Sequence, residues 1–127
     1  MIHYIDSQPY VEAVKLESIN QVQQTPYYVY SQAKIKEAYN NLYNTLNSKI
    51  YFSLKSNSNQ AIIKLINSLG AGADVVSTGE LKRALSAGIS PKDIIFEGVG
   101  KSREDILFAI NSNIHLINIE SLDELER

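Results

Sequence analysis

The sequence predicts an α/β fold, a parallel sheet covered by helices, from three observations. Short, nearly all-apolar runs return at regular intervals; each is followed by a stretch with apolar residues at three- and four-residue steps; and serines, glycines and a proline stand at the joins. A strand covered on both faces has no need to alternate polar with apolar residues, so these runs fit parallel strands better than a half-exposed meander. Such alternation belongs to a closed barrel or to a doubly wound sheet, and does not by itself choose between them.

Residues 1–24 form a lead-in with weak periodicity, whose apolar positions Val11, Val14, Leu16, Ile19 and Val22 suggest a short strand and a helical turn. Thr25-Pro26 precedes Tyr27-Tyr28-Val29-Tyr30, an aromatic and β-branched run expected to be a buried strand. Over residues 31–47 the apolar positions Ile35, Ala38, Tyr39, Leu42, Tyr43 and Leu46 mark an amphipathic helix that Ser31 is placed to cap. Ile50-Tyr51-Phe52-Ser53-Leu54-Lys55 then reads as strand and residues 60–69 as helix, with Ile62, Ile63, Leu65 and Ile66 inward and Gly70 as its stop. Ala73-Asp74-Val75-Val76 is the next strand, and Ser77 with Glu80 has capping-box spacing at the head of a helix ending near Gly88. Ile94-Ile95-Phe96 is followed by a similar cap at Ser102 and Asp105. Residues 114–119 read as a last strand, with Ser121 and Glu124 opening a helix that Arg127 cuts short. About five strand–helix units result, against the eight of a closed (β/α)8 barrel, so residues 25–127 read as a partial barrel truncated before closure.

Composition narrows the function. With 127 residues, 44% hydrophobic and 20% charged, the chain has the make-up of one folded domain. A net charge of -2 without a Lys/Arg cluster speaks against nucleic acid or an anionic membrane as partner. The absence of cysteine removes thiolate metal sites, disulfides and cysteine nucleophiles, and fits a reducing compartment. No apolar run reaches membrane-spanning length and the amino terminus lacks a secretory pattern, so the expected location is cytoplasmic. No metal site is expected: His115 lies in a strand run without an acid or second histidine at ligand spacing, and His3 in a mobile end.

Reactive groups of α/β proteins gather at the carboxyl ends of the strands. The candidates there are Lys55 with Asn57 and Asn59, Asp74 with Ser77 and Glu80, Glu97 with Gly98, Gly100 and Lys101, and Glu120 with Ser121. Lys55 stands out because it closes an apolar run, where desolvation favours an uncharged, nucleophilic amine able to condense with an aldehyde such as pyridoxal phosphate. The plain alternative, which the residues alone favour, is a lysine that ends a strand and snorkels to water. Asp74, after Gly70-Ala71-Gly72, is either a charge partner or a turn aspartate, and Glu80 either reaches a ligand or serves as the capping acid. Gly100-Lys101-Ser102 ends like a phosphate-binding loop, but the first glycine of that motif would fall at Ile95. Gly70 and Gly72 begin like a dinucleotide fingerprint that breaks at Val75. Neither nucleotide reading holds.

Taken together, Tyr51-Phe52-Ser53-Leu54-Lys55-Ser56-Asn57-Ser58-Asn59 resembles the strand-ending lysine motif of diaminopimelate decarboxylases, usually Y-A-x-K-A-N-S-N. The resemblance continues through Thr25-Pro26-Tyr27-Tyr28-Val29-Tyr30, residues 70–81, Gly98-Val99-Gly100-Lys101-Ser102 and Ile117-Asn118-Ile119-Glu120-Ser121, and so covers the chain from about Val14. It implies the alanine-racemase-like (β/α)8 barrel, with Lys55 bonded to the aldehyde of pyridoxal 5'-phosphate and Asp74 and Glu80 in the cofactor's neighbourhood. It implies decarboxylation of meso-diaminopimelate to L-lysine, a small-molecule amino-acid substrate, and a homodimer at full length. Ser53 and Ser56 depart from the usual alanines, and Gln24 from the usual glycine. The stacking histidine, glycine-rich phosphate loop, substrate-reading arginine and cross-dimer cysteine and tyrosine of the family would all lie beyond Arg127. The isolated chain is therefore expected to retain cofactor weakly or not at all and to be inactive. The competing expectations are part of a fold-group enzyme acting on ornithine, arginine or a carboxylated polyamine such as carboxynorspermidine, and a non-catalytic remnant serving in binding or assembly.

Overall fold

The computed structural model describes residues 2–126; Met1 and Arg127, which bound the ranges above, lie outside the described residues. The chain forms two compact units, one up to Thr45 and one from Leu46 onward.

The first unit begins with three antiparallel strands, β1 (Ile2–Ile5), β2 (Gln8–Val11) and β3 (Val14–Lys15), in the order β1-β2-β3, followed by the single helical turn α1 (Leu16–Ile19). The sequence suggested one strand and a helical turn, and the extra strands escaped for a physical reason. β1 is exposed along its whole length, so burial imposes no alternation on it. Its two-residue turn to β2 uses Asp6 and Ser7, both at positive φ (48° and 63°), where Asn-Gly is the usual signal. Residues 27–30 are a correction: they join no ladder, Tyr28 is 89% exposed, and its ring stacks on Tyr30 at 6.5 Å. The tyrosines supply β propensity, but among the described residues no strand pairs with the segment.

α2 (Gln32–Leu46) starts where expected. Ser31 Oγ accepts from the Lys34 amide at 3.1 Å and donates to Glu12 Oε1 at 2.7 Å, which also accepts from the Ala33 amide at 2.8 Å. These bonds, the Ala33 amide foremost, hold the Glu12 carboxyl below its ordinary range. Of the helix's apolar stripe only Tyr39 is buried.

The second unit carries four strand–helix pairs: β4 (Tyr51–Ser53) with α3 (Gln60–Ser68), β5 (Gly72–Val75) with α4 (Thr78–Ser86), β6 (Ile94–Phe96) with α5 (Arg103–Asn111), and β7 (Leu116–Ile117) with α6 (Leu122–Leu125). β4 and β7 are shorter than the apolar runs that announced them, β6 coincides with its run, and β5 has the expected length but starts one residue earlier. All four are parallel, in the order β4-β5-β6-β7, so neighbours in sequence are neighbours in the sheet. Right-handed crossovers that step in one direction leave their helices on one face. The core follows suit: Leu54, Ala73, Val75, Ile94 and Phe96 pack with Ile63 of α3, Leu81 and Ala84 of α4 and Ala109 of α5.

Because side chains alternate along a strand, the remaining positions form rows on the opposite face. One row is Ser53, Asp74, Ile95 and Leu116, matched in register across all four strands; the row before it pairs Tyr51 with Gly72. Gly72 is compulsory there, because a Cβ would lie 2.4 Å from the Asp93 carbonyl oxygen and 2.7 Å from the Tyr51 ring.

The helix starts bind by the caps the sequence suggested. Ser102 and Asp105 make a complete capping box, and Asp105 also accepts from the Thr78 hydroxyl, tying α5 to α4. Ser77 accepts from the Glu80 amide at 3.2 Å, while Glu80 reaches one residue further back than in a standard box, to the Val76 amide at 2.9 Å. Among the described residues no helix is long and apolar enough to cross a membrane.

Two stability outcomes follow. Gly72→Ala should lose about 3 kcal/mol or more in urea unfolding, since backbone and ring both block the new carbon, while Gly79→Ala, whose Cβ meets nothing closer than 3.8 Å, should be neutral or gain up to about 1 kcal/mol. The second concerns Asp105, whose carboxyl the Thr78 hydroxyl first, then the Ser102 hydroxyl and amide, hold below its ordinary range. A lowered folded-state value stabilises above the unfolded value and is lost as pH falls through the folded one. Asp105→Asn should therefore cost about 1 kcal/mol near neutral pH, with the gap to the parent closing on the acid side, as read by urea titrations across pH.

Candidate functional site

The carboxyl ends of β4–β7 carry the polar residues, and most of them have structural partners. Leu54 continues β4 by donating its amide to the Asp74 carbonyl at 2.9 Å and is fully buried. The chain then turns: the Ser56 amide and hydroxyl both donate to the Ser53 carbonyl, at 3.2 and 2.7 Å. Lys55 sits in that turn, exposed, one residue past the inward-facing Leu54. This corrects the expected apolar surroundings of Lys55, since the strand buries Leu54 and the turn puts the lysine outside. Among the described residues the Lys55 amine has no hydrogen-bond or ion-pair partner.

The two asparagines after Lys55 shape the loop. Asn57 Oδ1 accepts from the Asn59 amide at 3.0 Å, and Asn59 Oδ1 caps α3 at the Ala61 amide at 2.9 Å. Glu97 accepts from Asn118 Nδ2 at 2.9 Å, across from β6 to the end of β7. Glu80, as described, holds the Val76 backbone; Ser121 accepts from the Glu124 amide.

Lys101 was legible as a residue of this rim, but its partner was not. Its Nζ donates to the Gly98 carbonyl at 2.6 Å and to both oxygens of Glu124, at 3.1 and 3.3 Å, with side-chain exposures of only 2% and 5% for the pair. Glu124 Oε2 also accepts from the Glu120 amide at 2.8 Å, so one carboxylate closes the buried pair and the loop before α6. Glu124 carried only a capping signal in the sequence, and nothing in a 23-residue separation announces a pair. In the Gly-Lys-Ser sequence the lysine bonds inside the fold and Ser102 caps α5. Gly98, at φ 95° and with its virtual Cβ 3.3 Å from Val76 Cβ, lets the loop fold back over β5.

Asp74 differs from the other rim acids. It is half-buried on β5, its Oδ1 is shielded from solvent, and neither that oxygen nor the Ser53 Oγ in register beside it has a hydrogen-bond partner. Lys55, Asp74 and Glu80 are thus gathered at one end of adjacent elements, β4, β5 and the first turn of α4, without an ion pair joining them among the described residues.

A parallel sheet in sequential order with its polar residues at the carboxyl edge defines a class, the α/β domains, in which that edge is the usual place for a ligand. Comparison with known proteins makes the assignment particular. Residues 32–127 match the family of the pyridoxal-dependent decarboxylase, pyridoxal binding domain, and the chain belongs to that family. It is similar to the diaminopimelate decarboxylase of Pseudomonas aeruginosa, 41% identical over 127 residues, covering 98% of this chain and 31% of that protein. Among solved structures, the diaminopimelate decarboxylase of Helicobacter pylori complexed with L-lysine is 45% identical with a TM-score of 0.83, over 87% of this chain and 29% of that one. The enzyme of M. jannaschii in co-complex with L-lysine is 31% identical with a TM-score of 0.93, over 98% and 31%. The chain spans less than a third of the length of these relatives.

The buried pair gives a direct test of what holds this rim. Glu124→Ala, which strands a buried ammonium, should cost about 3–5 kcal/mol in chemical unfolding, whereas the double change Lys101→Met/Glu124→Leu should cost far less.

Proposed function

We propose that this chain is the amino-terminal part of a diaminopimelate decarboxylase, that Lys55 bonds the aldehyde of pyridoxal 5'-phosphate, and that Asp74 and Glu80 belong to the cofactor's neighbourhood. The observation that carries the reading is the pairing of an unpartnered, accessible amine at the end of β4 with a shielded carboxylate oxygen, also unpartnered, on β5 beside it. An aldehyde cofactor needs an amine that water and substrate can reach, and a cofactor with a protonatable ring is held by a nearby anion. These residues fit it. Sequential parallel strands with helices on one face support a (β/α)8 barrel as the fold of the whole protein, with residues 25–127 as its opening part and residues 1–24 as the lead-in.

When bound, pyridoxal phosphate supplies an electron sink for the pair left behind when a carboxylate departs. This chain's residues supply the setting. Lys55 presents its amine from a turn pinned by Ser56 and capped by Asn59, so the bond to the cofactor is made from a fixed base. Lys55 would hold the cofactor, and as an exposed amine, when not bonded to it, would be at hand to move a proton. Asp74 would place its carboxyl group at the neighbouring strand end. Glu80 holds the Val76 amide, and so the backbone leading out of β5. In the net reaction meso-diaminopimelate loses carbon dioxide and gains a proton at the same carbon, giving L-lysine. A cytoplasmic enzyme, a homodimer at its full length, completes the reading.

Incubating the protein with pyridoxal phosphate, reducing with borohydride and mapping peptides should place the adduct on Lys55. The 127-residue chain alone should release most of the label unless reduced, because the amine is exposed, and should not decarboxylate meso-diaminopimelate. At its natural length the protein should act on meso-diaminopimelate and not on ornithine or arginine, and Lys55→Ala should abolish activity. An adduct on other lysines with Lys55 unmodified would overturn the assignment.

A further inference from the structure

Ser53 is left unused by the reading above. It is the last residue of β4, two before the turn residue Lys55, and its register partner on β5 is Asp74. The rest of that row, Ile95 and Leu116, has no side-chain polar atom, so Ser53 alone in the row can donate to the Asp74 carboxylate. Ser53 Oγ and Asp74 Oδ1 are both shielded from solvent and both without a partner. Shielded polar atoms left unsatisfied carry a real cost, which a small apolar side chain at position 53 would avoid on the serine's side. The sequence nevertheless carries serine where the resembling motif usually has alanine.

We infer that Ser53 is a positioning residue for Asp74: on rotation of its side chain its hydroxyl donates to the Asp74 carboxylate and holds that carboxylate in one orientation near the carboxyl end of β4, where Lys55 follows. The strands are about 4.8 Å apart, so rotating a serine between staggered settings suffices to carry its oxygen across to a neighbour in register. Once an aldehyde takes up the amine, Ser53 is the donor that remains in the row. The consequence for Lys55 rests on the cofactor reading above, whereas the Ser53–Asp74 bond itself does not.

The test is a double-mutant cycle on the protein at its natural length, with Ser53→Ala and Asp74→Ala alone and together, and Ser53→Thr as the variant that keeps the hydroxyl. Two quantities are measured in each: the folding equilibrium in urea, and the rate at which pyridoxal phosphate becomes borohydride-trapped on Lys55 across pH. With Asp74 present, Ser53→Ala should slow trapping about tenfold and lower the folding constant by about tenfold. Both effects should shrink to within about twofold in the Asp74→Ala background, and Ser53→Thr should restore the parent's pH profile. A role in packing alone would give equal effects with and without Asp74, and that result overturns the inference, as does a Ser53→Ala protein indistinguishable from the parent. If no label reaches Lys55 in the parent, the cofactor reading fails and the urea cycle still decides whether Ser53 and Asp74 are coupled.

Discussion

Along each of the four parallel strands every second side chain goes under the helices, and the in-register pairing of β4 to β7 extends that choice across the whole sheet. Leu54, Val75 and Phe96 lie in the core because Ser53, Asp74 and Ile95 face the other way. A one-residue slip of β5 against β4 would bury the carboxylate of Asp74 among Ile63, Leu81 and Ala84, at a cost no packing could offset. The register is therefore held by the core, and the polar row is a consequence of it. Gly72 enforces the same register from the other face, because the Tyr51 ring and the Asp93 carbonyl leave no room for a side chain there.

At the carboxyl edge the polar residues divide by what they bond. Asn57, Asn59, Ser77, Glu80, Glu97, Ser102 and Ser121 satisfy backbone or neighbouring side chains, and Lys101 and Glu124 form a buried pair under the loop from Gly98 to α5. These bonds shape four loops that all end at one edge. Against them, Lys55, Ser53 and Asp74 stand apart as groups with capacity to spare.

How much of this was legible depended on whether burial or local bonding left a trace in the sequence. Helix starts were legible because Ser31, Ser77, Ser102 and Ser121 bond amides a few residues away, and the structure uses each of them. The parallel sheet was legible because its strands are apolar. The β1–β3 sheet was not, because its first strand is exposed and its turn is made by Asp6 and Ser7. Tyr27-Tyr28-Val29-Tyr30 misled because propensity cannot report whether a pairing strand exists. Lys55 follows β4 as read, but its surroundings are not the apolar ones expected, since Leu54 before it is buried and Lys55 is exposed in the turn. The Lys101–Glu124 pair lay beyond any local signal.

The central claim is the proposal that Lys55 and Asp74, at the carboxyl ends of β4 and β5, serve one cofactor. The most direct measurement is a crystal structure of the protein at its natural length grown with pyridoxal phosphate. The account predicts continuous density from Lys55 Nζ to the cofactor aldehyde carbon, with the ring over the carboxyl ends of β4 and β5 and Asp74 on the same side of the sheet. Continuous density to a different lysine, or a ring lying on the helix-covered face, would contradict it.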